Sequence, residues 1–422
     1  MTTEVFDETN GVPSASQQSL GSEFIECSQC GLLQILPPPI SGYSRRCIRC
    51  GGSFGRWGVG GDTALALAAT ALVLFSLAYL SPMMAIDIDG RGQSVRLGSG
   101  IAGLFDHGLA PLAFFVLLIS VVAPLGRVMT LAYVVLRARE HKFIPHLSLA
   151  LRVAERLRPW SMLDVFLVGA LIALTKLHDL AQTVVGLGLW ALGLLVATLA
   201  ALEIAIDRQM LWDSLIWMRG DRVMPFSKPG LGCRECGLVQ SSQAQCLRCG
   251  AGLHRRKPNS LQNATALVAT GFILYLPANL YPVITVVSFG HRTTATIMGG
   301  VIQLLDGSDW PLALIVFAAS VAVPLLKLLG LSWLLFSTWF GYRARLTGRT
   351  RLYRLIELVS RWSTVDIFVA ALLTALVTLG NIATIEPGFG ALAFGAVVVV
   401  TMLGTACFDP RLMWDAAGAN HV

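Results

Sequence analysis

Eight stretches of the chain are long and nearly free of charge, at residues 63–81, 109–137, 160–177, 184–206, 262–286, 310–340, 363–379 and 388–408. A bilayer core about 30 Å thick calls for about 20 apolar residues in a helix, so the pattern predicts eight membrane-spanning helices. The stretches at 160–177 and 363–379 are short and carry charge inside them. Between the stretches the period changes. "AIDIDGRGQSVRL" after Pro82 and "ITVVSFGHRTTATI" after Pro282 alternate apolar and polar residues about a glycine-containing turn. That alternation predicts two β-hairpins on the outer ends of the first helix of each half. The short apolar runs that follow, "GIAGLFDHG" and "GVIQLLDGSDW", are expected to be re-entrant or interfacial. The hairpins read either as tight covers or as a rim on which an outer partner docks.

The whole pattern occurs twice. Cys47 and Cys50 correspond to Cys246 and Cys249, Pro82 to Pro282, Ser120 to Ser320, Pro124 to Pro324 and Arg127 to Lys327. Trp160, Ser161 and Asp164 correspond to Trp362, Ser363 and Asp366, and "DRQMLWD" from Asp207 to "DPRLMWD" from Asp409. The offset holds at 199 to 202 residues, and a register that steady means tandem duplication. The expected organisation is a disordered polar tail at 1–23 without a signal-peptide core, a cysteine module at 24–58 and a four-helix unit at 59–215. A second module at 228–257 and a second four-helix unit at 258–415 repeat the arrangement.

A hydrophobic share of 55% against 14% charged sets the fold class as an all-α polytopic membrane protein. The basic residues show which side each loop faces. Arg137 to Arg158, Arg208 to Lys257 and Arg343 to Arg361 fill alternate connections, whereas the others hold Arg91, Arg96 and Arg292, with Lys176 at a helix end. The positive-inside rule then places both termini in the cytoplasm. The net charge of +7 follows from that topology and from attraction to anionic lipid, and it gives no reason to expect nucleic acid as a partner.

Eight of the nine cysteines form CxxC pairs, Cys27/Cys30 with Cys47/Cys50 and Cys233/Cys236 with Cys246/Cys249. Each pair is followed by a glycine, at Gly31, Gly51, Gly237 and Gly250, where a tight turn lets backbone amides face the sulfurs. Two such knuckles closing on one ion make a zinc ribbon, so two Zn2+ ions are expected, one per module. A rubredoxin-like iron site would use the same ligands, and disulfides are disfavoured on a reducing cytoplasmic side. Four thiolates leave no open coordination position, which points to folding or docking rather than catalysis. Cys407 reads as a small apolar filler in the last segment.

Charges inside membrane helices cost at least about 2.5 to 3.5 kcal/mol at the bilayer centre, so each asks for a partner or a function. Lys327 sits mid-way along the sixth segment, with Ser320 seven residues earlier on the same face. Pro324 removes the amide that would bond the Ser320 carbonyl, predicting a kink with an exposed acceptor. Ser363 and Asp366 share a face of the seventh segment, Thr401 on the eighth is placed to meet them, and Asp366 is the expected counter-ion of Lys327. The first half carries Ser120, Pro124, Arg127, Ser161 and Asp164, with Lys176 and Asp179 near the outer end of its third segment. An arginine keeps its proton whereas a desolvated lysine can release one, which marks the second half as the protonatable one. The set is either a static ion pair bracing a bundle or a proton-coupled switch in which protonating Asp366 frees the kinked helix.

Paired CxxC ribbons, each ahead of a helical unit with proline in its first helix, "RPWSMLDVF" or "SRWSTVDIF", and a closing acidic-Arg-Trp motif together resemble the paraquat-inducible protein A family. The resemblance runs from Cys27 to Asp415. It implies a bacterial inner-membrane protein with tetraspanin-like four-helix units that works with a periplasmic MCE-domain tunnel protein and moves phospholipid between membranes, with the proton gradient as a candidate energy source. It also implies that Lys327, Ser320, Ser363, Asp366 and Thr401, with Lys176 and Asp179, matter for transport. The knuckles of the first ribbon are 16 residues apart and those of the second nine, so the two ribbons are not interchangeable.

The reading is a lipid-transport subunit and not an enzyme, since no Walker A, Ser-His-Asp or HExxH arrangement is present. His107 and His291 on the outer side read as surface residues. Its rivals are a proton-coupled exporter of small hydrophobic compounds and a redox- or zinc-sensing membrane scaffold.

Overall fold

A 20-residue apolar helix rises about 30 Å, the thickness it must cross, and seven helices among the described residues are long and apolar enough to do so. The structure is a computed structural model that describes residues 24–35, 45–54, 61–88, 91–138, 146–178, 182–206, 208–209, 211–212, 230–240, 244–288, 291–306, 310–365, 367–369, 371–372 and 383–419. In chain order the first half has strands β1 (Phe24–Glu26) and β2 (Leu33–Ile35), helix α1 (Gly61–Leu80), strands β3 (Met84–Ile88) and β4 (Arg91–Val95), and the short helix α2 (Ser99–Asp106). The long α3 (Ala110–Ala138) follows, then α4 (Leu147–Leu157), α5 (Leu163–His178), β5 (Gln182–Val185) and α6 (Leu187–Ala205).

The second half recurs in the same order. Strands β6 (Leu231–Gly232) and β7 (Val239–Gln240) precede α7 (Ser260–Leu280), β8 (Ile284–Ser288), β9 (His291–Ala295) and α8 (Ile297–Asp306). A continuous helix α9 covers 310–339, and α10 (Leu346–Trp362), β10 (Ala383–Pro387), α11 (Phe389–Cys407) and α12 (Arg411–Ala416) complete it. The stretch expected at 363–379 lies largely outside the described residues, although 365, 367–369 and 371–372 are helical. The tail at 1–23 lies outside them as well.

Helices α4 and α10 are amphipathic, α4 forming the start of the candidate span Leu147–Thr175. In α4 the buried residues Leu147, Leu151 and Ala154 recur at helical spacing, and Thr350, Tyr353, Ile356 and Ser360 do so in α10, each giving one inward stripe and one charged face.

Both proline sites resolve into wide turns. Residues Leu118–Val122 of α3 and Ala318–Ala322 of α9 form π-helical turns directly ahead of Pro124 and Pro324. A proline cannot donate to the carbonyl four residues back and its ring crowds it, and a π turn relieves both without breaking the helix. Ser120 lies in one such turn and donates its hydroxyl to the Val116 carbonyl at 2.6 Å. Tyr275 of α7 donates to the Val321 carbonyl of the other at 3.2 Å.

The two alternating stretches form hairpins, with Met84 opposite Val95 and Ile284 opposite Ala295. Each gains a third strand that the sequence pattern did not mark, β5 beside β3 and β10 beside β8. Glycine makes the junction possible: a Cβ on Gly186 or Gly388 would lie 2.2 or 2.3 Å from the carbonyl oxygen of Pro82 or Pro282. The Gly188 and Gly390 amides donate to those same carbonyls at 2.9 and 3.0 Å.

One apolar core joins the halves. It contains Phe166 of α5 and Phe368, whose rings meet edge-on at 5.0 Å and 82°. Arg361 donates to the Ser161 carbonyl at 3.2 Å across the same seam.

Candidate functional site

The knuckle turns place the eight cysteine sulfurs. Gly31, Gly51, Gly237 and Gly250 have φ of 72°, 71°, 78° and 69°, a left-handed conformation that glycine adopts without strain. Their amides donate to the carbonyls of Cys27, Cys47, Cys233 and Cys246 at 2.8–2.9 Å. All eight cysteines are buried and none is bonded to another. The sulfurs of Cys27 and Cys50, and of Cys30 and Cys47, are 3.6 Å apart, and those of Cys233/Cys249 and Cys236/Cys246 are 3.6 and 3.5 Å apart. Within each group all four sulfurs lie within 4.8 Å of one another. A disulfide would need about 2.05 Å, whereas four sulfurs about 2.3 Å from a central ion stand somewhat under 4 Å apart. The two groups therefore fit a closed tetrahedral metal site.

Each ribbon seats on the half that it does not precede. Cys27, Cys30, Cys47 and Cys50 share a core with Val268 of α7, Leu328 and Leu331 of α9, Tyr353 of α10 and Trp414 of α12. Arg354 donates to the Gln29 side chain at 2.5 Å and to the Cys50 carbonyl at 2.7 Å, and the Arg49 guanidinium lies 4.4 Å over the Trp414 ring. The second ribbon packs on Leu131, Val134, Leu147, Leu151 and Ala154 of α3 and α4, beside Trp212.

The ribbons touch through Glu26. One carboxylate oxygen accepts the Gly232 amide at 2.9 Å and the other accepts Arg256 and Arg411 at 3.2 and 3.1 Å. Arg411 also grips Asp409 through two bonds of 3.1 and 3.0 Å, and Arg256 grips Asp415. Burial alone would raise the Asp409 carboxyl, but the Arg411 guanidinium outweighs it and holds the carboxyl below its usual range. Beside it, burial and the nearby Arg234 lower the Lys257 ammonium to about 8, and Lys257 Nζ donates to the Phe408 carbonyl at 3.0 Å. Glu26→Gln takes one carboxylate from two guanidiniums of which 5% and 15% is exposed and which keep Asp409 and Asp415, a loss of about 1–2 kcal/mol. A thermal melt of the purified variant is expected to show the loss.

The polar set in the helix core is only partly assembled from the residues expected. Lys327 is 2% exposed and Ser363 4%, and Lys327 Nζ and Ser363 Oγ find no hydrogen-bond partner among the described residues. Ser320 and Thr401 are buried too, with Thr401 donating to the Val397 carbonyl at 2.8 Å. Asp366 and Asp179 lie outside the described residues, as does the side chain of Lys176.

In the first half Arg127 meets Glu203 of α6 at 2.5 Å. Asp164 does not join it: half exposed, it faces Arg361 of the second half at 3.8 Å. The sequence signal for Glu203 was an acid inside an otherwise apolar run. A ladder of hydroxyls was also missed, with Tyr353 donating to the Thr405 carbonyl at 3.4 Å, Ser360 and Thr405 hydroxyls 3.5 Å apart, and Thr405 donating to the Thr401 carbonyl at 2.9 Å. It leads from the Thr401 level toward the ribbons.

Membrane-crossing helices, buried charge and paired four-cysteine clusters define a multi-pass membrane protein with two candidate metal sites. The family model for paraquat-inducible protein A matches residues 62–216 and again 261–418, and the chain belongs to that family. It is 35% identical over 407 residues to the intermembrane transport protein PqiA of Escherichia coli strain K12, covering 93% of this chain and 96% of the relative. It is 32% identical over 398 residues to the lipophilic envelope-spanning tunnel protein A of the same strain, covering 93% and 92%. No solved structure matches the chain.

Proposed function

We propose that the chain is an inner-membrane lipid-transport subunit, built of two tandem tetraspanin-like four-helix units, that loads or extracts phospholipid for a periplasmic MCE-domain partner. The observation that carries this reading is Lys327, a charged side chain 2% exposed in a membrane-crossing helix, one turn beyond a π turn and a proline. A buried intramembrane charge is costly and marks a transport path by default. The names of the relatives, an intermembrane transport protein and an envelope-spanning tunnel protein, support transport between membranes.

The halves divide the work in this reading. Arg127 is neutralised by Glu203 and braces the first half, whereas Lys327 and Asp366 form the proton-coupled switch of the second. The ribbons hold one Zn2+ each on the cytoplasmic side, with both termini there, and the two three-stranded sheets face the periplasmic partner. The protein is not an enzyme in this reading, and the metal serves folding and docking.

Photocrosslinking in cells grown with labelled phosphate tests it. A probe at half-buried Leu325, between Pro324 and Lys327, is expected to capture labelled lipid well above one at Leu326, which is 65% exposed. Equal labelling at both positions would favour a scaffold or another cargo.

A further inference from the structure

Between the two ribbons, the end of α6 and helix α10 lies an open-sided cavity of about 840 Å3, within the roughly 300–1,000 Å3 range of small-ligand pockets. Part of its wall is apolar. Ala200 and Ile204 come from the last turns of α6, and Ile204 is 52% exposed, so the cavity begins where a membrane-crossing helix ends. The rest is charged, and most of those charges are already satisfied by neighbours. Arg411 holds Glu26 and Asp409, Arg158 faces Glu203, Arg208 holds Glu155, and Glu235 meets Arg156.

Of the other lining charges, Arg248 donates to the Cys236 carbonyl and Lys257 to the Phe408 carbonyl, which leaves two of opposite sign. Arg234, between Cys233 and Glu235, and Glu357, on α10, are both exposed to the cavity, and neither makes an ion pair or hydrogen bond among the described residues. Burial raises the Glu357 carboxyl from its ordinary value, the signature of a charge that the wall solvates poorly. A purely anionic ligand would satisfy Arg234 and be repelled by Glu357, and a purely cationic one would do the reverse. A zwitterion carrying phosphate at one end and ammonium at the other satisfies both.

We propose that this cavity holds the phosphoethanolamine headgroup of a phospholipid from the cytoplasmic leaflet, with its phosphate on Arg234 and its ammonium on Glu357. The assignment rests on the lipid-transport reading and adds to it a headgroup class and a place. The apolar flank of α6 gives the acyl chains a way into the bilayer, which a soluble phosphoethanolamine would not need.

Titration of the purified full-length protein with short-chain phosphatidylethanolamine, short-chain phosphatidylglycerol and free phosphoethanolamine decides it. The native chain is expected to prefer phosphatidylethanolamine over phosphatidylglycerol by about tenfold, the worth of one charge-assisted hydrogen bond. Glu357→Gln is expected to erase that preference, Glu357→Asp to keep part of it, and Arg234→Gln to weaken both lipids alike. Glu357 lies outside the ribbon, so its variants decide the matter even where Arg234→Gln disturbs the knuckle. An unchanged preference in Glu357→Gln overturns the proposal. Free phosphoethanolamine binding as tightly as the lipid overturns the lipid assignment in favour of a soluble ligand. If Leu325 still captures lipid while the cavity variants do nothing, only the headgroup site is lost; if Leu325 captures none, both readings go together.

Discussion

Replacing Cys47 and Cys50 by serine is expected to loosen the second half of the protein and spare the first. The Cys27–Cys50 ribbon shares its core with α7, α9, α10 and α12, and Arg354 of α10 and Trp414 of α12 hold it directly. If the ribbon holds zinc as proposed, the ion carries about 10–16 kcal/mol of folding free energy, and its loss unfolds the ribbon and removes what covers those helices. Hydrogen exchange should then quicken by at least tenfold along Leu346–Trp362 and Arg411–Ala416, given that more than 1.4 kcal/mol of local protection is withdrawn. The counterpart, Cys246 and Cys249 to serine, should quicken exchange along α4, where Leu147, Leu151 and Ala154 lose their cover. Glu26 bridges the ribbons, so a smaller rise at the other site is expected in each case. Exchange that rises in the half following the altered ribbon, and not in the opposite half, would refute the crossed arrangement.

That crossing shows where sequence reading stops. Seven of the expected membrane helices and the knuckles were legible because each rests on local pattern: runs of about 20 apolar residues, CxxC followed by glycine. Which half a ribbon seats on is decided by packing between residues hundreds of positions apart, as with Arg49 and the Ala419 carbonyl, and no window of sequence carries it. Pairing of charges was missed for the same reason. Arg127 has Asp164 as a positional candidate, yet the side chain that reaches it is Glu203 on a different helix. The third strands β5 and β10 were missed because four or five alternating residues beside a long apolar run look like the start of that run. The proline sites were half legible. Loss of the hydrogen bond to the Ser320 carbonyl follows from the missing N–H of Pro324, but its resolution as a π turn depends on the neighbours that hold the helix straight.

Substituting Lys327 separates a transport switch from a structural brace, because the two predict opposite orders of damage. As a brace, Lys327→Arg keeps the charge and is tolerated, while Lys327→Leu strands a counter-ion and costs about 3–5 kcal/mol. As a switch, both variants stop transport. Lys327 is 2% exposed and its Nζ has no hydrogen-bond partner among the described residues, which do not include Asp366. Replacing both members of a buried ion pair by apolar side chains of similar volume is often neutral or stabilising by about 1–4 kcal/mol. With Asp366 as its partner, Lys327→Leu joined to Asp366→Leu should therefore melt at or above the temperature of the native chain while phospholipid flux between the membranes falls to background. Lys327→Arg should fold and fail as well, because a guanidinium keeps its proton and is bulkier than an ammonium at a position only 2% exposed. Flux measured in cells with labelled phospholipid, beside thermal melts of the purified variants, reads both quantities. Normal flux in Lys327→Arg together with a lowered melting temperature in the double variant would mean that this lysine holds the bundle and moves nothing.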